Sequence, residues 1–234
     1  MRKLNAPGDS VQDVFSTCIE SYRDAALKNR LRSIVPVLSD EASRFEDCVL
    51  TSKTHTIPTA DNVGGVVSKA EMLDIYESKF VKGTGRPYYD KYMSLPTNGK
   101  CPFCGIGTVS TLDHYLPKSK YPALAITPKN MIPACRDCNL GKKRTFSPQN
   151  SEEEPLHPYF DDVEQDIWLS VRFEVAGKEL VPTYFVRKPV AWNDLLFRRV
   201  ENHMVLYNLY TSYAVHAAEE ITGRSGIWHV FLDR

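Results

Sequence analysis

Two closely spaced pairs of cysteines carry the most distinctive chemistry in this sequence. Two residues separate Cys101 from Cys104, and two residues separate Cys135 from Cys138. Such a spacer lets one short loop offer two thiolates to the same ion, and four thiolates form a tetrahedral site for zinc. The spacing therefore predicts a structural Zn²⁺ ion with these four ligands. A redox-active pair or unmetallated thiols are the alternatives.

The segment between the two cysteine pairs is longer than in a simple zinc ribbon. It holds 30 residues, whereas ribbons hold about 15 to 20. The insert contains a β-prone stretch that leads to Asp113-His114, a loop with lysines and then Asn130, and Asn139 directly follows the second pair. These residue types suit phosphodiester hydrolysis, which needs a base to activate water and a cation to neutralise charge on the phosphoryl oxygens.

Each role in this chemistry has a candidate residue. Because the ordinary pKa of a histidine is about 6.5, His114 can accept a proton from water near neutral pH. Asp113 and Asn139 offer hard oxygen ligands to one Mg²⁺ or Mn²⁺ ion. In a regular strand Asp113 and His114 would point to opposite faces, so we expect a bend or bulge there. Asn130 is expected to hydrogen-bond the loop that carries His114.

Plainer interpretations of the same residues are also open. Asp113-His114 could be a surface dipeptide on a zinc module without activity, and Asn139 could cap a helix N-terminus.

The residues resemble the zinc-stapled branch of the HNH, or ββα-metal, nucleases. The shared features are Cys101/Cys104, Asp113-His114 followed by Pro117, a central Asn130, Cys135/Cys138 followed by Asn139, and the trailing Lys142. The resemblance covers residues 101–144, and Asn139 stands where some members carry a third histidine. It implies a ββα-metal core in which His114 is the general base, Asp113 and Asn139 hold Mg²⁺ or Mn²⁺, and Asn130 completes the catalytic set.

Basic residues are concentrated in the same part of the chain. Residues 101–150 contain seven Lys or Arg against two Asp, although the whole chain has 29 basic and 29 acidic residues. Such a local patch favours salt-dependent contacts with phosphates that do not depend on base sequence. A merely solvated face is the alternative. The predicted nucleic-acid-binding residues are Lys118, Lys120, Lys142, Lys143 and Arg144.

The rest of the sequence predicts an α+β protein in which helices and a hairpin flank the zinc module. We divide it into an N-terminal helical region (1–98), the nuclease core (99–150) and an acidic connector with a hairpin and a helix that pack on the core (151–234). Apolar spacing and turn residues indicate the individual elements. These are a helix over 9–27, a helix after Ser39, a helix opened by a Ser68/Glu71 capping box, a hairpin over 169–186 and one long helix from Pro189 to about Ile221.

Composition limits where such a protein could act. The chain is 42% hydrophobic, but no apolar run approaches the roughly 18 to 20 residues of a bilayer span, and the first residues lack the apolar stretch of a signal peptide. Four of the six cysteines lie in metal-type pairs, which suits a reducing compartment. We therefore expect a cytoplasmic protein without a membrane partner.

The layout as a whole also resembles the nucleases of bacterial anti-phage systems. It is most similar to the Septu-type PtuB family, including retron-associated forms, whose members work with an ATPase partner. The resemblance implies a DNA endonuclease that serves as the effector of a defence complex. An RNA nuclease with the same catalytic residues, acting for example on tRNA, and a non-catalytic zinc module that binds nucleic acid or a partner protein are the alternatives.

Overall fold

In the part of the chain that the structure describes, the main elements are helices and three small antiparallel strand pairs, which confirms the predicted α+β class. A computed structural model describes residues 1–140, 146–176 and 179–232. Within these ranges the helices are α1 Val11–Glu20, α2 Ala25–Arg32, α3 Val35–Leu50, α4 Lys69–Asp74, α5 Arg86–Met93, α6 Arg136–Asn139, α7 Asp194–Leu206 and α8 Leu209–Leu232. The strands pair as antiparallel hairpins: β1 Asn62–Val63 with β2 Val67–Ser68, β3 Thr111–His114 with β4 Met131–Ala134, and β5 Leu169–Ala176 with β6 Glu179–Val186.

The first predicted helix is two helices, so the prediction of one helix over 9–27 was wrong. The side chain of Ser10 caps α1 by accepting a hydrogen bond from the backbone N–H of Asp13. The helix α1 ends at Glu20, and the carboxylate of Asp24 then accepts hydrogen bonds from the first N–H groups of α2. Aspartate is a strong N-cap residue, so Asp24 starts a new helix instead of continuing the old one.

The capping box predicted at Ser68 is present and begins α4. The Ser68 side chain accepts from the backbone of Glu71, and the Glu71 carboxylate accepts from the backbone of Ser68. Hydrogen bonds from Arg30 and Ser68 hold the pKa of the Glu71 carboxyl at about 2. After Asp74 the chain continues as a π-helical segment, Ile75–Val81. Such segments are rare and recur at functional sites.

The β3–β4 hairpin lies between two hydrophobic cores. Leu112 and Met131 belong to one core with the buried residues of α1, α3 and the π-helical segment. Ile132 and Ala134 belong to a second core with the four paired cysteines and the C-terminal helices. Each core thus draws residues from more than one of the regions 1–98, 99–150 and 151–234, whose boundaries stay a prediction.

The C-terminal hairpin is present, but the long helix predicted after it is broken. The strands β5 and β6 pair in one register from Leu169↔Val186 to Ala176↔Glu179, and the turn predicted at Gly177 lies outside the described residues. The helix from Asp194 ends at Leu206, and a second helix begins at Leu209. Asn208 between them has a φ of 52°, a left-handed conformation that asparagine tolerates better than most residues and that ends a helix.

A buried arginine joins α7 to the acidic segment that precedes the hairpin. The guanidinium of Arg199 donates two hydrogen bonds to the Asp161 carboxylate, at 2.9 and 2.7 Å. It also donates to the backbone carbonyls of Glu154 and Pro155. The predicted acidic connector is therefore partly an internal structure, because two of its carboxylates, Glu154 and Asp161, face inward.

Among the described helices, none combines the length and the apolar composition needed to cross a lipid bilayer.

We expect Arg199→Ala to destabilise the protein strongly, because it leaves the Asp161 carboxylate without its buried partner. Loss of one member of such a pair costs about 3 to 5 kcal/mol, which corresponds to about 10 °C in melting temperature for a chain of this size. Thermal unfolding followed by circular dichroism measures it. The neighbouring Arg198→Ala is the control, because Arg198 forms a solvent-exposed pair with Glu201. Equal melting temperatures for the two variants would contradict this role of Arg199.

Candidate metal centre and catalytic cavity

The four paired cysteines meet at one buried point. Their sulfur atoms all lie within 4.8 Å of one another, and the Sγ atoms of Cys104 and Cys135 are 3.8 Å apart. Four thiolates about 2.3 Å from one tetrahedral ion would be separated by about 3.8 Å. A disulfide would require about 2.05 Å. The donor set therefore fits a zinc ion, and Cys101, Cys104, Cys135 and Cys138 could hold it as predicted.

Two glycines shape the first cysteine loop. Gly105 has a left-handed φ of 74° and donates its backbone N–H to the Cys101 carbonyl at 2.7 Å. Gly107 donates its N–H to the Sγ of Cys104 at 3.3 Å. A Cβ atom on Gly107 would lie 2.8 Å from the Cβ and Sγ of Cys135, so a side chain at this position would separate the two cysteine pairs.

The C-terminal helices support the first cysteine loop through particular contacts that the sequence analysis did not name. The His203 Nε2 donates to the Phe103 carbonyl at 2.9 Å, and the Tyr213 hydroxyl donates to the Cys104 carbonyl at 2.7 Å. The Tyr207 ring stacks on Phe103 with a centroid distance of 4.7 Å. His203 lies in the last turn of α7 and Tyr207 directly follows that helix, and their four-residue spacing within the predicted long helix was the available signal.

A cavity of about 650 Å³ lies beside the metal centre and contains most of the predicted catalytic residues. Asp113, His114, Asn139 and Lys118 all line it. Its opposite wall comes from the N-terminal region, through the π-helical segment and α5. The structure thus brings the predicted base, the predicted cation ligands and one predicted phosphate-binding lysine to a single space.

The imidazole of His114 is held in one orientation. Its Nε2 lies 2.9 Å from the Ala125 carbonyl oxygen. Because a carbonyl can only accept, Nε2 carries the proton, and the neutral ring therefore has its lone pair on Nδ1. The ring edge also contacts the Tyr76 ring at a centroid distance of 4.7 Å. A histidine with this tautomer can take up a proton at Nδ1 without losing its anchoring bond.

The bend expected at Asp113-His114 is absent, and this expectation was wrong. The strands β3 and β4 pair one to one from Thr111↔Ala134 to His114↔Met131 without a bulge. Both Asp113 and His114 are nevertheless buried and line the same cavity. β3 has a strand partner on one side only among the described strands. A cavity along its other edge can therefore be lined by residues from both faces.

Asn130 tethers the loop that carries His114, as expected. Its Oδ1 accepts from the Leu116 N–H at 2.8 Å, and its Nδ2 donates to the carbonyls of Leu116 and Leu124, both at 3.0 Å. Leu116 and Leu124 lie close in sequence to His114 and Ala125, which are joined by a hydrogen bond. The side chain is fully buried and lies behind the cavity, so it supports the geometry of His114 while its place in the catalytic set stays a prediction.

The predicted phosphate-binding residues differ in their surroundings. Lys118 lies in the cavity and pairs with Glu77, whereas Lys120 is half-buried and does not line the cavity. Asn139 ends α6, so the alternative that it caps a helix N-terminus concerns a segment that the structure does not describe. Lys142, Lys143 and Arg144 also lie outside the described residues.

The π-helical segment contributes Tyr76 and Glu77 to the wall of the cavity, and neither was predicted as a site residue. Tyr76 is buried between the His114 ring and the stacked ring of Phe80. Burial raises the pKa of the Tyr76 phenol well above its ordinary value, and the carboxylates of Glu77 and Asp113 contribute in the same direction. In the sequence, Tyr76 looked like an ordinary apolar position of a helix, which gave no signal for a site.

We expect Cys104→Ser to lose bound zinc. Loss of an outer-shell partner costs about 10- to 100-fold in metal affinity, and loss of a ligand should cost at least as much. Elemental analysis of the purified protein measures zinc per chain, with unfolding temperature as a second readout. Cys48→Ser is the control, because Cys48 is half-buried and lies outside the four-thiol cluster. The same zinc content in both variants would argue against this centre.

Asn130→Asp should lower stability by about 3 kcal/mol, because the carboxylate cannot donate to the two buried carbonyls that Asn130 now satisfies. Denaturant unfolding provides the comparison. The same change at Asn193, the exposed N-cap of α7, is the control and should be nearly neutral, because aspartate caps a helix equally well. If Asn130→Asp were as stable as Asn193→Asp, the tether would contribute nothing to the fold.

Comparison with known proteins gives two relatives of informative extent. The chain is 28% identical to the protein ea31 of Escherichia phage lambda over 243 aligned positions, which cover 96% of this chain and 80% of that protein. It is 31% identical to the Septu protein PtuB of Bacillus thuringiensis over 102 positions, which cover 41% of this chain and 38% of PtuB. No protein-family model matches the chain. No solved structure matches it either. The chain is thus similar to ea31 over almost its whole length and to a Septu protein over part of it.

Proposed function

We propose that this chain is a metal-dependent endonuclease of the HNH type that hydrolyses phosphodiester bonds of DNA. The observation that carries the proposal is the environment of His114. This histidine is buried, and its Nε2–H donates a hydrogen bond to a backbone carbonyl. It shares one cavity with Asp113, Asn139 and Lys118. Phosphodiester hydrolysis requires a base in a fixed tautomer, oxygen ligands for a metal ion, and a positive charge near the phosphate. His114, the pair Asp113 and Asn139, and Lys118 are the candidates for these three roles.

His114 serves as the general base in this proposal. Its Nδ1 takes a proton from a water molecule in the cavity, and the resulting hydroxide attacks phosphorus opposite the leaving oxygen. The bond between phosphorus and the leaving oxygen breaks as the new bond forms, and the leaving oxygen takes a proton from a second water molecule. The bond from Nε2 to the Ala125 carbonyl persists in the protonated ring and stabilises its positive charge. Tyr76 restricts the imidazole to one position, which reduces the entropy lost when water and phosphate are aligned.

Asp113 and Asn139 would hold the catalytic Mg²⁺ or Mn²⁺. They are a carboxylate and an amide, which are oxygen ligands that these ions accept, and they line the same cavity. A bound divalent cation supplies charge neutralisation at the phosphoryl and leaving oxygens. Two protein ligands leave several coordination positions for water and for substrate oxygens.

The four-thiolate site has a structural role in this scheme. Four cysteines complete the coordination of a tetrahedral zinc ion, so no position remains open for substrate. The site instead joins the loop before β3 to α6, and β3 and β4 lie between these two points in the chain. Asn139 follows Cys138 directly, and we propose that zinc thereby sets the position of one cation ligand.

A role in anti-phage defence is the biological part of the proposal. It is supported by the partial similarity to a Septu protein. The protein would act as the effector nuclease of a defence complex with a protein partner such as an ATPase. A protein of phage lambda is similar to this chain over most of both chains, so at least one relative of this chain is encoded by a phage.

The decisive test is cleavage of plasmid DNA with Mg²⁺ or Mn²⁺ by the wild type and by His114→Ala. Loss of the general base should reduce the rate about 10²- to 10⁴-fold while zinc content is retained. The melting temperature should fall, because the buried Ala125 carbonyl loses its donor, so cleavage is measured at a temperature where the variant is folded. His216→Ala is the control, since His216 is exposed on α8 and does not line the cavity. Assays run with and without a co-encoded partner address dependence on a complex.

Each outcome has a distinct meaning. Equal cleavage by the wild type and His114→Ala would contradict the mechanism. Cleavage of RNA but not DNA, lost in His114→Ala, would move the same chemistry to an RNA substrate. Binding of nucleic acid without cleavage under any of these conditions would favour a non-catalytic zinc module.

A further inference from the structure

An ion pair forms part of the wall of the candidate catalytic cavity. The Lys118 ammonium group pairs with the Glu77 carboxylate and lies 3.8 Å from the centroid of the Tyr76 ring. All three residues line the cavity together with Asp113 and His114. Glu77 and Tyr76 come from the π-helical segment of the N-terminal region, whereas Lys118 comes from the loop after β3.

We propose that Glu77 is a positioning residue for Lys118, and that a phosphate of the nucleic acid displaces Glu77 when substrate enters. This inference rests on the proposed function, because it assigns Lys118 to the phosphate backbone. Glu77 holds the ammonium group inside the cavity while no substrate is bound. It also competes with phosphate for that group, so it lowers the affinity of the cavity for nucleic acid.

The exposure of the two side chains makes the exchange feasible. The Glu77 side chain is 54% exposed and the Lys118 side chain is 24% exposed. An ion pair with a half-exposed carboxylate is weak, since water solvates the released carboxylate well. The Glu77 side chain can therefore leave Lys118 without unfolding of the helical segment that carries it.

Tyr76 keeps Lys118 in place during the exchange. An ammonium group over an aromatic ring is attracted by the negative face of the ring, and this attraction does not depend on Glu77. The ring itself is fixed by stacking on Phe80, at 5.5 Å between centroids, and by its contact with His114. The ammonium group thus stays beside the catalytic histidine when its carboxylate partner is replaced by a phosphate.

Charge in the cavity gives Glu77 a second effect. Among the described residues that line it, Glu77 and Asp113 are acidic and Lys118 is basic. A divalent cation held by Asp113 would offset that carboxylate, whereas the Glu77 carboxylate pairs with Lys118. Once a phosphate takes Lys118, the Glu77 carboxylate repels it, and this repulsion is stronger in a partly enclosed cavity than in open water. Glu77 therefore selects against weakly held polyanions.

Binding of fluorescent duplex DNA tests the inference without requiring cleavage. The measurement is fluorescence anisotropy in buffer without Mg²⁺ or Mn²⁺, on protein with verified zinc content. We expect Glu77→Gln to lower the Kd about three- to fivefold, the range of a weak ion pair. In a Lys118→Met background the same change should alter the Kd less than about twofold, because the competed group is gone.

Glu46→Gln is the matched control. Glu46 pairs with Lys129 at 2.6 Å, and neither residue lines the catalytic cavity. The substitution removes one negative charge and breaks one ion pair, as Glu77→Gln does. It should leave the Kd unchanged, and melting temperatures of all variants report on the fold.

The results separate this inference from the proposed function. An unchanged or higher Kd for Glu77→Gln, an equal gain in the Lys118→Met background, or an equal gain for Glu46→Gln would overturn the role of Glu77. If cleavage still depends on His114 in that case, the proposed function is retained and only the role of Glu77 is lost. If neither the wild type nor any variant binds the duplex, the role of Glu77 is refuted, whereas the proposed function is judged separately by cleavage with Mg²⁺ or Mn²⁺.

Discussion

The site depends on one constraint, which is that two cysteine pairs separated by 30 residues must meet at a single point. Closing a chain segment of this length costs conformational entropy, which a zinc ion held by the four thiolates would offset. The closed segment contains β3, β4 and the loop with Lys118. The spacing of its ends therefore limits how far Asp113 and His114 can lie from Asn139.

Within the closed segment, buried polar groups determine the remaining geometry. The carbonyls of Leu116, Leu124 and Ala125 are internal and need donors, because an unsatisfied buried carbonyl is costly. Asn130 supplies donors to the first two, and His114 supplies one to the third. A histidine that satisfies a backbone carbonyl with Nε2 has Nδ1 as its basic nitrogen. The need to satisfy the loop thus fixes the orientation and the tautomer of the imidazole.

The regions on either side complete the site from opposite directions. The C-terminal helices support the first cysteine loop through His203, Tyr207 and Tyr213, and Arg199 attaches these helices to the segment that precedes the hairpin. The N-terminal region supplies the far wall of the cavity, including Tyr76 and Glu77. The β3–β4 hairpin has only four residues in each strand, too few for independent stability, so it depends on both neighbouring cores.

Local sequence determined those parts of the protein that depend on residue type and short spacing. The cysteine pairs, the Ser68/Glu71 capping box, the β5–β6 hairpin and the tethering role of Asn130 are set by groups that act within a few residues or through one dominant chemical preference. The candidate site residues of the insert were named on the same basis. Helix ends were less predictable, because Asp24 and Asn208 divide apolar patterns that continue across them.

Tertiary structure decided what no local pattern contains. The regular strand at Asp113-His114 contributes two consecutive residues to one cavity, and which groups form the other walls of this cavity depends on distant segments. The partnership of Lys118 with Glu77 joins residues 41 positions apart, and the support of the cysteine loop by α7 and α8 spans about a hundred. Such contacts are set by how the two cores pack around a short hairpin. The sequence by itself therefore determined the ligands and the candidate base, and the packing of distant segments decided their orientation and the charges that surround them.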